Sequence, residues 1–232
     1  MKKQLFGTYS LLALSVPAAL FTIAPKAQAL GQVLGSTATT TMGSVSGFGI
    51  SNAVNQSGLS ATYTSGTTDF DSYVSTTTGN SVTSNWWFGN GNTGFVTFDL
   101  GASYDVNALA LWAIASANIN AVRGFSLYAD TDADTNSLGS LLGNFSAVAA
   151  VGGNNTIQSQ VFTFATTNTR YIQMNITSNA GGSFSGLNEV AFGGSATPVP
   201  WETDALPVVG ATLFFAGGVW AKRKLAKPLD KE

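Results

Sequence analysis

Three groups of residues in this 232-residue chain have the types and spacing to do chemistry. The run Trp86-Trp87-Phe88 could stack on a sugar, because aromatic faces accept the C–H surface of a pyranose and tolerate a polar rim. Neighbouring side chains of a strand point to opposite faces, so at least one of the two tryptophans belongs to the core. Asp130, Asp132 and Asp134 alternate on one turn, with Asn136 next at the same spacing, as in the first half of a calcium loop. That match stops at Thr135 in the sixth position and Leu141 in the twelfth, and an acidic hairpin tip is the plainer reading. Arg123 and Arg170 are the only bases between Leu30 and Pro200, against eight acids. Arg123, at a strand start, could hydrogen-bond a sugar hydroxyl, or be an ordinary satisfied surface arginine. Nucleic acid is a poor partner for a stretch with no cluster of Lys and Arg. A secreted glycosidase would need only two carboxyls about 5–9 Å apart, so it remains a rival to a binding protein. With no His and no Cys, Ser-His-Asp and Cys-His mechanisms, imidazole metal sites, disulfides and thiolate zinc are excluded.

The elements that must position these groups are short and β-rich. Charged residues make up 9% of the chain, whereas Gly, Ser, Thr and Asn supply about two-fifths, so neutral hydroxyls and amides keep its surface wet. From Phe95 the apolar pattern has period two: Phe95 to Leu100, Val106 to Ile114, Gly124 to Ala129, Val161 to Phe164, Arg170 to Thr177 and Leu187 to Phe192. In the Arg170 run, Ile172, Met174 and Ile176 form the core face, and Tyr171, Gln173 and Asn175 the other. No long run of period 3.6 separates these strands, which argues against parallel βαβ units and for an all-β, antiparallel, two-sheet sandwich. Residues 30–66 read as a Ser/Thr/Gly-rich leader, partly ordered as strands, ahead of a sandwich over 67–197.

Both ends carry membrane signals. Residues 1–29 have two lysines, an apolar stretch and the triplet Ala27-Gln28-Ala29, the pattern of a secretory signal peptide cut by signal peptidase after Ala29. Residues 198–232 run from Pro198-Val199-Pro200-Trp201-Glu202 into an uncharged segment, Ala205 to Ala221, and then Lys222-Arg223-Lys224. Those 17 residues make a single hydrophobic helix of about 25 Å, at the lower limit for crossing a bilayer, with the basic tail in the cytoplasm. A buried core helix would not account for half of the ten basic residues lying after Ala221.

The tail resembles the PEP-CTERM sorting signals read by exosortases. Val199, Pro200, Trp201 and Glu202 look like the aromatic-Glu variants of the motif associated with cyanobacteria. The resemblance implies an exosortase-type processing enzyme and at least transient anchoring in the inner membrane. It further implies a final place at the cell surface or in the extracellular matrix.

A second resemblance covers about Thr67 to Gly194. Asn85-Trp86-Trp87-Phe88, Gly94 to Gly101, Ala108-Leu109-Ala110-Leu111-Trp112, Gly124-Phe125-Ser126-Leu127-Tyr128, Thr169-Arg170-Tyr171-Ile172 and Gly186-Leu187-Asn188-Glu189-Val190 are similar, in order, to the landmarks of discoidin domains, also called coagulation-factor C-type domains. The family implies a galactose-binding-like jelly-roll β-sandwich whose end loops bind glycans, lipid head groups or proteins. It makes Trp86 framework and leaves Trp87 for a ligand platform. It places Arg170 as a framework residue paired with a carboxylate such as Asp99. It also implies a structural Ca²⁺ held by Glu189 with Asp69 or Asp71. The expectation is an exported, non-enzymatic, adhesive protein that binds extracellular polysaccharide or surface glycans weakly; a passive scaffold with no ligand is the alternative.

Overall fold

A computed structural model describes residues 31–80, 85–114, 119–135, 137–152 and 156–197. The expected signal peptide over 1–29 and the expected sorting segment over 198–232, with Val199, Pro200, Trp201, Glu202 and the basic tail, lie outside the described residues. No helix among the described residues is long and apolar enough to cross a membrane.

The described chain is an antiparallel β-sandwich of nine strands: β1 (Gln32–Leu34), β2 (Thr37–Thr40), β3 (Trp87–Phe88), β4 (Gly94–Trp112), β5 (Gly124–Asp130), β6 (Ser140–Ser146), β7 (Ser159–Ile176), β8 (Gly186–Leu187) and β9 (Glu189–Ala196). The all-β, antiparallel sandwich expected from the alternating pattern, and the jelly-roll class implied by the resemblance, are what is found. Two long strands, β4 and β7, pair over their whole lengths with irregularities at Asp99/Tyr104 and Val106/Ala108. Beyond those bulges the partners change. The first half of β4 pairs with β2, the second half with β9, and the second half of β7 pairs with β5, which pairs with β6. The sheet therefore bends over on itself, as bulges permit. One cluster joins Val96, Phe98, Ile172 and Met174 from one half to Leu109, Leu111, Val190 and Phe192 from the other. Phe98 and Phe192 meet across it with ring centroids 5.2 Å apart.

The Val106/Ala108 bulge also explains the order of residues along β4. Val96, Phe98, Leu100 and Val106 face the main core at even positions, and after the bulge Leu109 and Leu111 face it at odd ones. A one-residue slip exchanges the two faces of a strand. The even positions that follow, Ala108, Ala110 and Trp112, line a second, outer core. Small alanines there leave room for a helix, α1 (Phe70–Thr76), whose Phe70, Tyr73 and Val74 cover that face. Asp69 caps α1 by accepting from the Ser72 N–H at 2.8 Å, and Tyr73 Oη donates to the Ala61 carbonyl. Two segments of the expected leader are hydrogen-bonded into the sheet: β1 pairs with β9 and β2 with β4.

Candidate functional site

Trp87 lies elsewhere than on a ligand platform. It is 0% exposed, at the centre of the main core, and its Nε1–H donates to the Gly43 carbonyl and the Ser44 hydroxyl. The residue that reaches the surface is its neighbour Trp86, half-buried and stacked on Phe48 with centroids 5.8 Å apart. Strand alternation requires one of the pair to face inward, and β3, paired with Leu187, turns Trp87 that way. Arg123 is engaged by its own protein: Nη1 donates to the Val148 carbonyl at 2.7 Å, tying the start of β5 to the segment after β6.

The carboxylates expected to share a calcium ion do not converge. Asp69 is spent on the α1 cap, which holds its carboxyl below the usual range, and Asp71 is exposed on the first turn of α1. Glu189 sits inside, 1% exposed, its Oε1 accepting from the Gly58 N–H at 3.3 Å. No group of three acidic side chains among the described residues could hold a metal. The set Asp69, Asp71 and Glu189 thus does not fit the ion. Glu189 is instead a buried acid, pushed up to about 8 first by loss of solvent and only partly drawn back by the Gly58 and Gln56 N–H groups. Beside it, Asn188 is wedged between Gly58 and Gly79. A Cβ on Gly58 would lie 2.8 Å from Asn188 Oδ1, and one on Gly79 would lie 2.8 Å from its Nδ2. With the amide blocked on both sides, Gly58→Ala is expected to cost about 1–3 kcal/mol of stability, read as a lower urea midpoint. An unchanged midpoint would show that the loop yields.

A cavity of about 380 Å³ opens at the bend of the sheet, between the β1–β2 turn, residues 54–65 and the β4 bulge. Val54 and Leu100 give it apolar ground, Tyr63 gives it an aromatic ring, and Thr37, Gln56 and Asp99 give it hydrogen-bonding groups. Asp99 and Gln56 are held in place by side-chain hydrogen bonds. Asp99 accepts from Arg170 in bidentate fashion, Nε to Oδ1 at 2.7 Å and Nη2 to Oδ2 at 2.9 Å, and from the Gly101 N–H. This is the Arg170–Asp99 pair expected from the sequence. The guanidinium keeps the Asp99 carboxyl below its ordinary value, so it presents a fixed, ionised acceptor. Gln56 accepts from the Tyr63 N–H at 2.8 Å, and it is the one non-glycine residue with positive φ, 64°, among the described residues. A backbone strained in that way is found where a site has to be shaped. Tyr63 packs edge-on against Tyr73, and burial raises its phenol out of reach of neutral-pH ionisation. The cavity can therefore donate and accept hydrogen bonds and stack a ring, but it holds no free base at neutral pH. Glu189 lines none of the three cavities described.

No protein-family profile matches the chain, and no curated protein does. Solved structures with a related chain course do exist. A family 32 carbohydrate-binding module of Clostridium perfringens NanJ, solved with galactose, is 15% identical with a TM-score of 0.48, covering 71% of this chain and 99% of that one. Truncated AlyQ, with carbohydrate-binding and alginate lyase domains, is 19% identical with a TM-score of 0.49; the match covers 73% of this chain and 35% of AlyQ. A fucolectin from striped bass serum is 15% identical with a TM-score of 0.46, over 70% of this chain and 46% of that one. These neighbours are carbohydrate-binding proteins. Likeness at this level carries no ligand and no site residue across, and the function has to be argued from the cavity.

Proposed function

We propose that the sandwich is a non-catalytic carbohydrate-binding module, and that the cavity at the bend of the sheet takes a sugar unit of a polysaccharide. One observation carries this reading: the same 380 Å³ cavity combines the Tyr63 ring with a fixed Asp99 carboxylate, the Gln56 amide and the Thr37 hydroxyl over an apolar floor. A pyranose presents paired hydroxyls on its rim and an apolar C–H face, and these are the groups that would satisfy it. The openness of the cavity between surface turns suits one residue of a chain that continues past it. With about 380 Å³ to fill and no deep enclosure, affinity is weak per unit and gains from repetition along a polymer.

We infer that residues 1–29 direct export and that residues 198–232 sort and anchor the chain through an exosortase-type enzyme, leaving the sandwich to hold surface or matrix polysaccharide. Mass spectrometry of the two termini of the native protein tests this directly: cleavage after Ala29 and loss or modification of the tail support it, and two intact termini reject it.

Tyr63→Leu keeps an apolar side chain but removes the aromatic face and its edge contact with Tyr73, so polysaccharide affinity should fall by about tenfold, with a modest drop in the unfolding midpoint and the fold retained. Isothermal titration against a panel of acidic and neutral polysaccharides, with circular dichroism as the fold control, is the measurement. Unchanged affinity in a folded Tyr63→Leu protein removes the cavity from the site. Binding to nothing on the panel favours a passive scaffold, and turnover of a bound glycan would favour the glycosidase.

A further inference from the structure

The turn after β5 folds back over the outer face of the sheet and closes on two buried oxygens that have no partner. Tyr128 pairs with Gln173 across β5 and β7, and Asp130 with Tyr171, so Asp130 and Gln173 are diagonal neighbours on one face. Both are buried beneath the turn, Gln173 at 0% exposure and Asp130 at 9%. Gln173 Nε2 donates to the Asp134 carbonyl, which aims the amide into the turn. That donor also settles which end of the amide is oxygen, since a flipped amide would set two oxygens against each other. Gln173 Oε1 is left without a hydrogen bond, and so is Asp130 Oδ2. The other Asp130 oxygen, Oδ1, accepts from the Thr131 N–H at 2.7 Å and the Asp132 N–H at 3.4 Å.

Both orphans are acceptors, and one belongs to a carboxylate. A buried carboxylate oxygen without a donor is a costly thing to keep, which calls for something that brings positive charge or protons. The nearby cation Arg170 is committed to Asp99. A water molecule has two protons to give but leaves the charge of Asp130 uncompensated, and Asp132 and Asp134 add more negative charge to the same turn. A hard divalent cation answers both needs, because it binds carboxylate and amide oxygens alike and tolerates irregular geometry. A cavity of about 300 Å³ beside it, lined by Asp130, Thr131 and Thr169 among others, gives an ion its way in.

We propose that Asp130 Oδ2 and Gln173 Oε1 are the inner ligands of a calcium site closed by the Asp130–Asp134 turn. The site has no third converging acid among the described residues, so its affinity belongs with the weak extracellular modules, at a Kd of about 10⁻⁴–10⁻³ M. Neither proposed ligand lines the sugar cavity, although Arg170, which anchors Asp99 there, also borders the 300 Å³ cavity; loss of polysaccharide binding on removal of the Tyr63 ring leaves both ligands in place.

Terbium, a calcium substitute excited through nearby tyrosines, is the probe, because Tyr128 and Tyr171 stand opposite the two ligands. The full-length protein is expected to give tyrosine-sensitised terbium luminescence that calcium displaces in the submillimolar-to-millimolar range. Asp130→Asn should weaken calcium competition by at least about tenfold and keep its fold, since the new amide can donate to Gln173 Oε1. Gln173→Leu keeps the volume, removes the other ligand oxygen and should act likewise; it carries the test if Asn at 130 does not fold. Glu189→Gln should leave the signal intact. The proposal is overturned by a wild-type protein with no calcium-displaceable signal, or by a signal that survives both Asp130→Asn and Gln173→Leu.

Discussion

Glu189→Gln is expected to make the protein more stable at pH 8.5 than its parent and to leave it about as stable at pH 4. The carboxyl of Glu189 is raised from an ordinary 4.5 to about 8, chiefly because burial denies its charged form water. The folded chain therefore binds this proton more tightly than the unfolded chain does, and stability falls with rising pH wherever the folded state holds more protons. The contribution is fully present below about 4.5, declines between there and about 8, and is gone above. A shift of this size corresponds to something on the order of 5 kcal/mol, a large share of a typical domain's total. Glutamine mimics the protonated acid and removes the dependence. Asp69 and Asp99 contribute in the opposite sense, since their folded values lie below 3.8, but their window lies under that of Glu189. Urea unfolding in EDTA at several pH values between 4 and 9 decides the matter. A parent protein that gains stability through this window would mean that the Glu189 charge is paired within the protein, and the buried-acid reading would fall.

That carboxylate illustrates where the sequence could be read and where it could not. The alternation of Ile172, Met174 and Ile176 with Tyr171, Gln173 and Asn175 assigned the core face of β7 correctly, because that strand meets the core on one side only. It did not show that Gln173 would be buried as well, since the turn that covers it comes from a loop forty residues away. The same limit applies to Glu189, which sits between Asn188 and Val190 in a strand covered on both sides. The two runs Phe95–Leu100 and Val106–Ile114 were legible as strands, but not as one strand. Only the bulge shows that the inward parity changes between them.

Helix α1 was missed for a physical reason: seven residues are too few for a period of 3.6 to stand out, although Phe70, Tyr73 and Val74 do fall at helical spacing behind a capping Asp69. The candidate cavity was harder still. Thr37, Gln56, Tyr63 and Asp99 are far apart in the chain, and the first three belong to a stretch that composition alone marks as a leader. Its one sequence signal was Asp99, identified through its expected pairing with Arg170. A resemblance in the framework residues orders the strands but says nothing about the turns that carry a binding surface.

The Trp86–Trp87 pair brings the two kinds of inference into direct conflict, and Trp87→Ala separates them. A platform residue can be removed with loss of ligand and little loss of fold. A core tryptophan cannot: Trp87 is fully buried among Met42, Val96 and Leu187 in the main cluster, and its Nε1–H ties the segment at Gly43 and Ser44 to β3. Truncation leaves a cavity that rigid β-strands cannot collapse around, and it leaves the Gly43 carbonyl without its donor, so the expected cost is about 3–5 kcal/mol. That loss is comparable with the whole stability of a marginal domain, and much of the protein should be unfolded at 37 °C, read by circular dichroism and protease sensitivity. Trp86→Ala removes a half-buried ring stacked on Phe48 and should be far milder. If instead the Trp87 variant folds normally and loses only its glycan binding, β3 must present the other face outward, and the placement of the sugar site at Tyr63 and Asp99 must be abandoned in favour of Trp87.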